Sequence, residues 1–378
     1  VIDQKRTESK GAARSLHYDL NLLFPVLFLV GIGIVMVYSA SSALAMKKFG
    51  SDGYFLKKQA VFSLIGFITL VFCRHVPYRV FRVAAYPILF TSIGLLSLTH
   101  TSQFGVSVGG ASRWVRFGGL QFQPVEFARF ALILYLSYSI ADKFSKGNIK
   151  MFSVGFFPHV IVLGMMAVVI FFQPDFGSIL ILSILAWIMM FVGGVRTLHL
   201  ITSLAPLLPL AYYFMVSAEY RLKRILTFLD PWQYPQEEGY QIVHSLMAFG
   251  SGGLWGAGVG KGYQKLFYLP EPHTDFIFSV IGEELGLFGV LVIVGLFSLI
   301  IWRGILISAN TDDLFGSLVA LGITAALGLQ VCVNMGVSLG LLPAKGLTLP
   351  FLSYGGTSLL INMASVGILM NIAASRPR

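Results

Sequence analysis

From residue 20 onward the chain is a succession of long apolar runs separated by short breaks of polar, glycine and proline residues. The runs are continuous rather than alternating, which predicts helices and not the strands of a lipid-facing barrel. Many reach the roughly 20 residues that carry a helix across a hydrocarbon core. Ten spans are predicted, near 20–42, 58–73, 80–99, 124–141, 153–172, 177–193, 199–216, 276–302, 314–340 and 357–373. Backbone groups in lipid must pair within the protein, so an unbroken apolar run has little choice but helix. The expected fold is therefore an all-α integral membrane protein of about ten transmembrane helices. It forms one unit over 20–373, with a polar, basic tail at 1–19 and a short end at 374–378. The tail has no apolar stretch of the signal-peptide kind and is expected to be disordered.

Two breaks are too long to be simple turns. Residues 100–123, "HTSQFGVSVGGASRWVRFGGLQFQ", are rich in Gly and Ser and are expected to be a loop. Pro124 then opens a helix at a position that favours proline. Glu126 and Arg129 share one face of that helix, either as a functional pair or as an ion pair that neutralises itself. The second break, 217–275, is expected to be a large loop between the seventh and eighth spans, and a loop of that length is usually functional. Within it, 240–249 is periodic enough for a short helix. The glycines of 250–262 read as close-packed turns, because neither a P-loop nor a GxGxxG register fits them. "QPDFG" (173–177) places Asp175 at a helix start as an N-cap. "LLPAKGLTLPFLSYGGTS" (341–358) is apolar but broken by prolines and glycines. Such a segment is tolerated at membrane depth only when it is buried in protein or lines a cavity. Lys345, Ser353 and Tyr354 would face that cavity.

Composition supports the membrane reading: 56% of residues are hydrophobic and only 12% charged, where a soluble domain carries about 25% charge. The two cysteines, Cys73 and Cys332, lie far apart and suggest neither a disulfide nor a metal site. Charge bears on orientation. The side holding both termini carries 14 Lys and Arg, against 13 on the other, five of which fall in 217–275. Long loops count weakly in the positive-inside rule, so cytoplasmic termini are expected. The outer face then carries Lys47, Lys48, Lys57, Lys58, Arg113, Arg116 and Lys345 among others, and the net charge is +10. An anionic partner held at that face would account for them.

The stretch "YLPEPHTDFIFSVIGEELG" concentrates the chemistry. Asp275 stands where the large loop enters the eighth span. A helix N-terminus there would hold it as the anion and weaken it as a base, or it could simply cap the helix. Glu283 and Glu284, deeper in the span, are expected to be structural. His273 is expected to hydrogen-bond to backbone, and Glu271 could belong to a partner surface or a substrate cleft. The candidate substrate-binding residues are Arg113, Trp114, Glu126, Arg129, Lys345 and Ser353. Carboxylates, cations and aromatic side chains above a lipid-facing bundle suit an amphiphilic anionic substrate, with its head at the surface and its chain in the bilayer. A polymerase, a flippase or a non-catalytic scaffold could bind such a molecule. A flippase would line a path through the membrane with charge, and the mid-span regions are nearly free of it.

"YLPEPHTDFIFSVIGEELGLFG" (268–289), "GLTLPFLSYGGTSLL" (346–360), "RWVRFGGLQFQPVEFAR" (113–129), "QPDFG" and "VMVYSASS" (35–42) resemble, in order, the SEDS family of shape, elongation, division and sporulation proteins. "LMAFGSGGLWGAGVG" and "AKGLTLP" make the resemblance greatest to its division and sporulation branch. Arg129 stands where the family pattern has lysine, which keeps the charge. The resemblance implies an inverting peptidoglycan glycosyltransferase of the bacterial cytoplasmic membrane. Such an enzyme polymerises lipid II at the outer face and releases undecaprenyl pyrophosphate. It implies a class B penicillin-binding protein as partner, alongside other division proteins and membrane lipids, and no nucleic acid. The family's essential aspartate falls on Asp275. A divalent cation, Mg or Mn, could bridge Asp275 and pyrophosphate, although no dedicated ligand set is visible.

Overall fold

A computed structural model of the protein describes residues 18–108, 111–118, 120–203, 205, 209, 227–235, 239–266 and 268–375. Its helices are α1 (Leu20–Phe49), α2 (Tyr54–His75), α3 (Tyr78–Leu98), α4 (Pro124–Ser145), α5 (Phe157–Phe171, entered through a π turn at Phe152–Phe156), α6 (Phe176–Val192), α7 (Tyr240–Gly252), α8 (Ile277–Ala309), α9 (Leu314–Ser338) and α10 (Gly356–Ala374). The protein is a multi-pass helical membrane protein. Among the described residues eight helices are long and apolar enough to cross a membrane, counting the π turn with α5, and α6 is shorter at 17 residues. The predicted span at 199–216 and the basic tail lie largely outside the described residues, as do Arg221, Lys223 and Arg224.

Burial sorts the helices. In α4 nearly every face is covered, and it packs against α3, α6 and α9 at the centre. α2 lies along α10, and α8 along α9, α1 and α7. Phe28, Phe72, Val83, Phe90, Leu291 and Trp302 are exposed on the outer helices. Side chains of this size on a bundle's rim are the lipid-facing surface. α1 runs seven residues past the predicted end, to Lys47 and Lys48 in its last turn, and stops at Gly50 with φ 68°. Lysine stems can lie along the interface beyond the hydrocarbon, so hydropathy alone ends the helix too early.

The all-α bundle carries one small sheet in a loop. The predicted loop at 100–123 contains a three-stranded antiparallel sheet: β1 (Gly105–Val108), β2 (Ala111–Phe117) and β3 (Leu120–Phe122), in that order. Short segments of β-branched and aromatic residues between Gly-Gly pairs are hairpin material. The β1–β2 register passes from Val106↔Trp114 to Ser107↔Ser112, which leaves Arg113 as the extra residue of a bulge. A bulge re-aims the side chain it carries.

Of the broken segment 341–358, the part from Leu347 onward is largely buried in protein, while Leu341, Leu342 and Gly346 are exposed. Leu349, Phe351 and Leu352 are fully buried. Side chains serve its carbonyl groups: Gln330 Nε2 donates to Thr348 O at 2.9 Å, and Asn334 Nδ2 donates to Leu347 O. Gly33 of α1 must lack a side chain, since a Cβ there would stand 2.6 Å from Phe351 O.

Candidate active site

Asp275 lies in the turn just before α8. Asn334 Nδ2 donates to its carbonyl at 2.9 Å, and its N–H reaches Glu271 O at 3.3 Å. It does not cap the helix: the N-cap position is Phe276, with no side-chain cap bond. Among the described residues nothing donates a hydrogen bond to its half-buried carboxylate. Gly346 faces that carboxylate, and a Cβ there would stand 2.7 Å from Oδ2. Burial pushes the Asp275 carboxyl up to about 6, helped by the charge of Glu271 and opposed by Arg113. This corrects the expectation of a helix-end carboxylate weakened as a base. Desolvation wins, leaving a group still ionised at neutral pH yet more basic than an ordinary aspartate.

The next residue back from Gly346 is Lys345. Its aliphatic stem lies across Gly177 at the start of α6, where a Cβ would come within 2.2 Å of Cε. Its Nζ is buried and has no hydrogen-bond partner among the described residues. Burial pulls the Lys345 ammonium down to about 8; Asp175 and Glu126 resist this, while Arg113 and Arg129 add to it. Arg113 reaches the same place from the β2 bulge. Its Nη2 donates to Pro174 O at 2.7 Å, and its Nε lies 3.9 Å from Asp175 Oδ2, buried and with no hydrogen bond. Asp175 is the N-cap of α6, as expected, accepting from Ser178 N at 3.2 Å and Ser178 Oγ at 2.6 Å. Glu126 and Arg129 are both buried and pair with each other along α4.

The structure thus brings Arg113, Glu126, Arg129 and Asp175 within electrostatic reach of Lys345, and Gly346, the next residue, faces the Asp275 carboxylate. The other candidates are placed differently. Trp114 is half-buried on β2, and its side chain makes no hydrogen bond or ring contact among the described residues. Ser353 is buried, and its hydroxyl accepts from Leu349 N at 2.7 Å, within its own turn. Among the described residues the His273 ring does not hydrogen-bond to backbone. It packs between Phe55 and Tyr354, its Nδ1 is buried without a partner, and burial holds the imidazole down to about 4. Its carbonyl instead accepts from Tyr354 N at 2.9 Å. Glu283 and Glu284 have the structural roles expected of them.

Sequence reasoning missed Gly346, Gly177 and Asn334. Asn334 carried a signal, since a lone amide in an apolar span must find partners. The glycines carried none, because their role is to leave room for side chains distant in sequence.

A half-buried carboxylate, faced by Gly346, and the buried ammonium of the adjacent Lys345 each lack a hydrogen-bond partner among the described residues. Polar groups held in this way call for a partner that the described residues do not supply. The carboxylate can take a proton, and the cations can hold an anion.

A family model described as "Cell cycle protein" and covering FtsW, RodA and SpoVE matches residues 20–377. The probable peptidoglycan glycosyltransferase FtsW of Trichlorobacter lovleyi is 47% identical over 361 residues, covering 96% of this chain and 94% of its own. A chain of a peptidoglycan synthase complex that coordinates polymerisation and crosslinking superposes with a TM-score of 0.78 at 29% identity, covering 96% of this chain and all of the other. The rod shape determining protein RodA of Thermus thermophilus superposes with a TM-score of 0.69 at 28% identity, covering 96% and 99%.

Proposed function

Since the chain belongs to the FtsW, RodA and SpoVE family of cell cycle proteins, we propose that it is a peptidoglycan glycosyltransferase that polymerises lipid II for septal wall synthesis. The observation that carries this reading is the carboxylate of Asp275 beside Gly346, next to Lys345, whose buried ammonium has no hydrogen-bond partner among the described residues, and near Arg113, whose Nε has none either. Glycan extension joins the 4-hydroxyl of an acceptor sugar to the anomeric carbon of a donor. A hydroxyl is a poor nucleophile until a base takes its proton. Asp275 takes that proton as the new C–O bond forms. The bond from the anomeric carbon to the pyrophosphate oxygen breaks, and undecaprenyl pyrophosphate leaves with the bonding pair. Attack opposite the leaving group inverts the anomeric centre. Lys345 and Arg113 stabilise the charge on the departing pyrophosphate, with the Glu126–Arg129 pair adjoining them. Polymerisation and crosslinking are joined in the complex to which one superposed chain belongs, which supports a class B penicillin-binding protein as partner. The direct test is reconstitution of the purified chain with that partner and lipid II. Glycan strands on a gel are expected, and their absence would refute the assignment.

Two further results follow. The pH profile of kcat/KM should be bell-shaped, because Asp275 must be ionised and Lys345 protonated. It should rise through about pH 6 and fall above about pH 8, the values to which burial moves the two groups. A profile flat from pH 5 to 9 would contradict both roles. For topology, both termini should be cytoplasmic and the Asp275 face outside, in the cytoplasmic membrane at the division site. A cysteine at Tyr263 should react with an impermeant maleimide in intact cells and one at Lys146 should not; the reverse would overturn the orientation.

A further inference from the structure

α8 is two helices joined at a break. Gly286 interrupts it with φ 65° and ψ −164°. The first half begins directly after Asp275, and Ile277 to Glu284 are all buried. The second half exposes Leu287, Phe288, Leu291 and Trp302. Breaking a helix at membrane depth strands backbone groups on both sides of the break, and each needs a partner. The glycine-rich segment after α7 supplies them. Ala257 N and Gly258 N donate to the carbonyls of Glu283 and Glu284 at 2.9 and 3.0 Å, while Gly253 O and Leu254 O accept from Leu287 N and Phe288 N at 2.9 and 3.2 Å. This approach needs glycine: at Gly256, where φ is 79°, a Cβ would stand 2.2 Å from Glu284 O.

The two glutamates extend the splint through their side chains. Glu283 accepts from Tyr263 N at 2.7 Å and Gln264 N at 3.1 Å. Glu284, fully buried, accepts from Gly260 N at 3.0 Å, from Ser39 Oγ of α1 at 2.7 Å and from Lys265 Nζ at 2.6 Å. Lys265 Nζ also donates to Ser39 Oγ at 2.8 Å. The half-helix 277–285 has no side-chain cap at one end and a break at the other, so helical continuity does not locate it. A buried ion pair adds little net stability over an apolar pair of similar volume, but it can fix a register.

We propose that Lys265, acting through Glu284 and Ser39, is a positioning residue for Asp275: it locks the half-helix 277–285 against α1 and thereby sets where the carboxylate stands relative to Gly346 and Lys345. This rests on the reading of Asp275 as the base. The test compares Lys265→Met/Glu284→Gln, which removes both charges together, with Lys265→Arg and wild type, each in complex with its crosslinking partner. With lipid II as substrate, the double variant should keep its unfolding temperature and its KM within about twofold, while kcat falls at least about tenfold. Lys265→Arg should recover most of the rate. Deuterium uptake over 276–285 should rise in the double variant with α9 and α10 unchanged. Wild-type kcat, or unchanged uptake over 276–285, would overturn the proposal. If the double variant does not fold, Ser39→Ala carries the same test, with the same uptake change and a smaller fall in kcat expected. Repeating the exchange measurement in an Asp275→Asn background separates the two readings. Failure of the base assignment would appear as turnover by Asp275→Asn, whereas failure of the positioning claim would appear as unaltered exchange.

Discussion

Asp275→Asn should abolish glycan polymerisation in a protein that still inserts, binds its crosslinking partner and retains lipid II. Asparagine keeps the size and polarity of the side chain but removes its charge and nearly all its basicity. Loss of general-base catalysis costs about 100- to 10,000-fold, so the purified variant should form no detectable glycan strands. A cap role for the carboxylate is already closed by its geometry, because α8 has no side-chain cap. The same variant should be more heat-stable near pH 7.5. Burial raises the folded-state value of this carboxyl to about 6, against about 3.9 in an unfolded chain. The folded protein therefore holds the proton more tightly. The stability linked to it is full below about pH 4 and lost as pH rises through about 6. At pH 7.5 the ionised carboxylate destabilises the fold, and the amide relieves that. An inactive protein that melts higher is the expected pair of results. Polymerisation near the wild-type rate would remove Asp275 as the base and turn attention to Glu126.

The second large effect should come from the cations. Arg113→Ala and Lys345→Ala should each lower kcat/KM about ten- to a hundred-fold, since a charge-assisted contact to phosphate contributes about 1.5–3 kcal/mol. Neither change should unfold the protein. Lys345 Nζ has no hydrogen-bond partner to lose, and Arg113 gives up one bond to the Pro174 carbonyl and a 3.9 Å approach to Asp175. Both variants should also bind undecaprenyl pyrophosphate more weakly, which product-inhibition curves would show. Unchanged turnover and unchanged product inhibition in both proteins would remove the anion-site assignment.

What could be read in advance and what could not divide along a physical line. Lipid forces each crossing segment to be apolar along its whole length and to pair its own backbone, so the composition of a short window decides that it is helix. α2, α4, α9 and α10 were visible for that reason. Local chemistry placed Pro124 at a helix start, Asp175 as a cap and α7 near 240–249 for the same reason: each depends on neighbours a few residues away. The charge of the short loops places the basic residues on the outer face, and the resemblance of five motifs to one family singles out Asp275. The sheet at 105–122 has strands too short for alternation to stand out, so by its sequence it resembles a loop. Tertiary structure alone decided the rest. The break in α8 is stable only because residues 253–258, some thirty positions earlier, supply its missing hydrogen bonds. The basicity of Asp275 depends on how deeply its surroundings bury it, and the helix start expected to lower it was outweighed. Gly177 leaves room for the Lys345 side chain and Gly346 for the Asp275 carboxylate, and no described residue hydrogen-bonds the ammonium. Desolvation and pairing depend on distances between segments far apart along the chain, so no local pattern of residues encodes them.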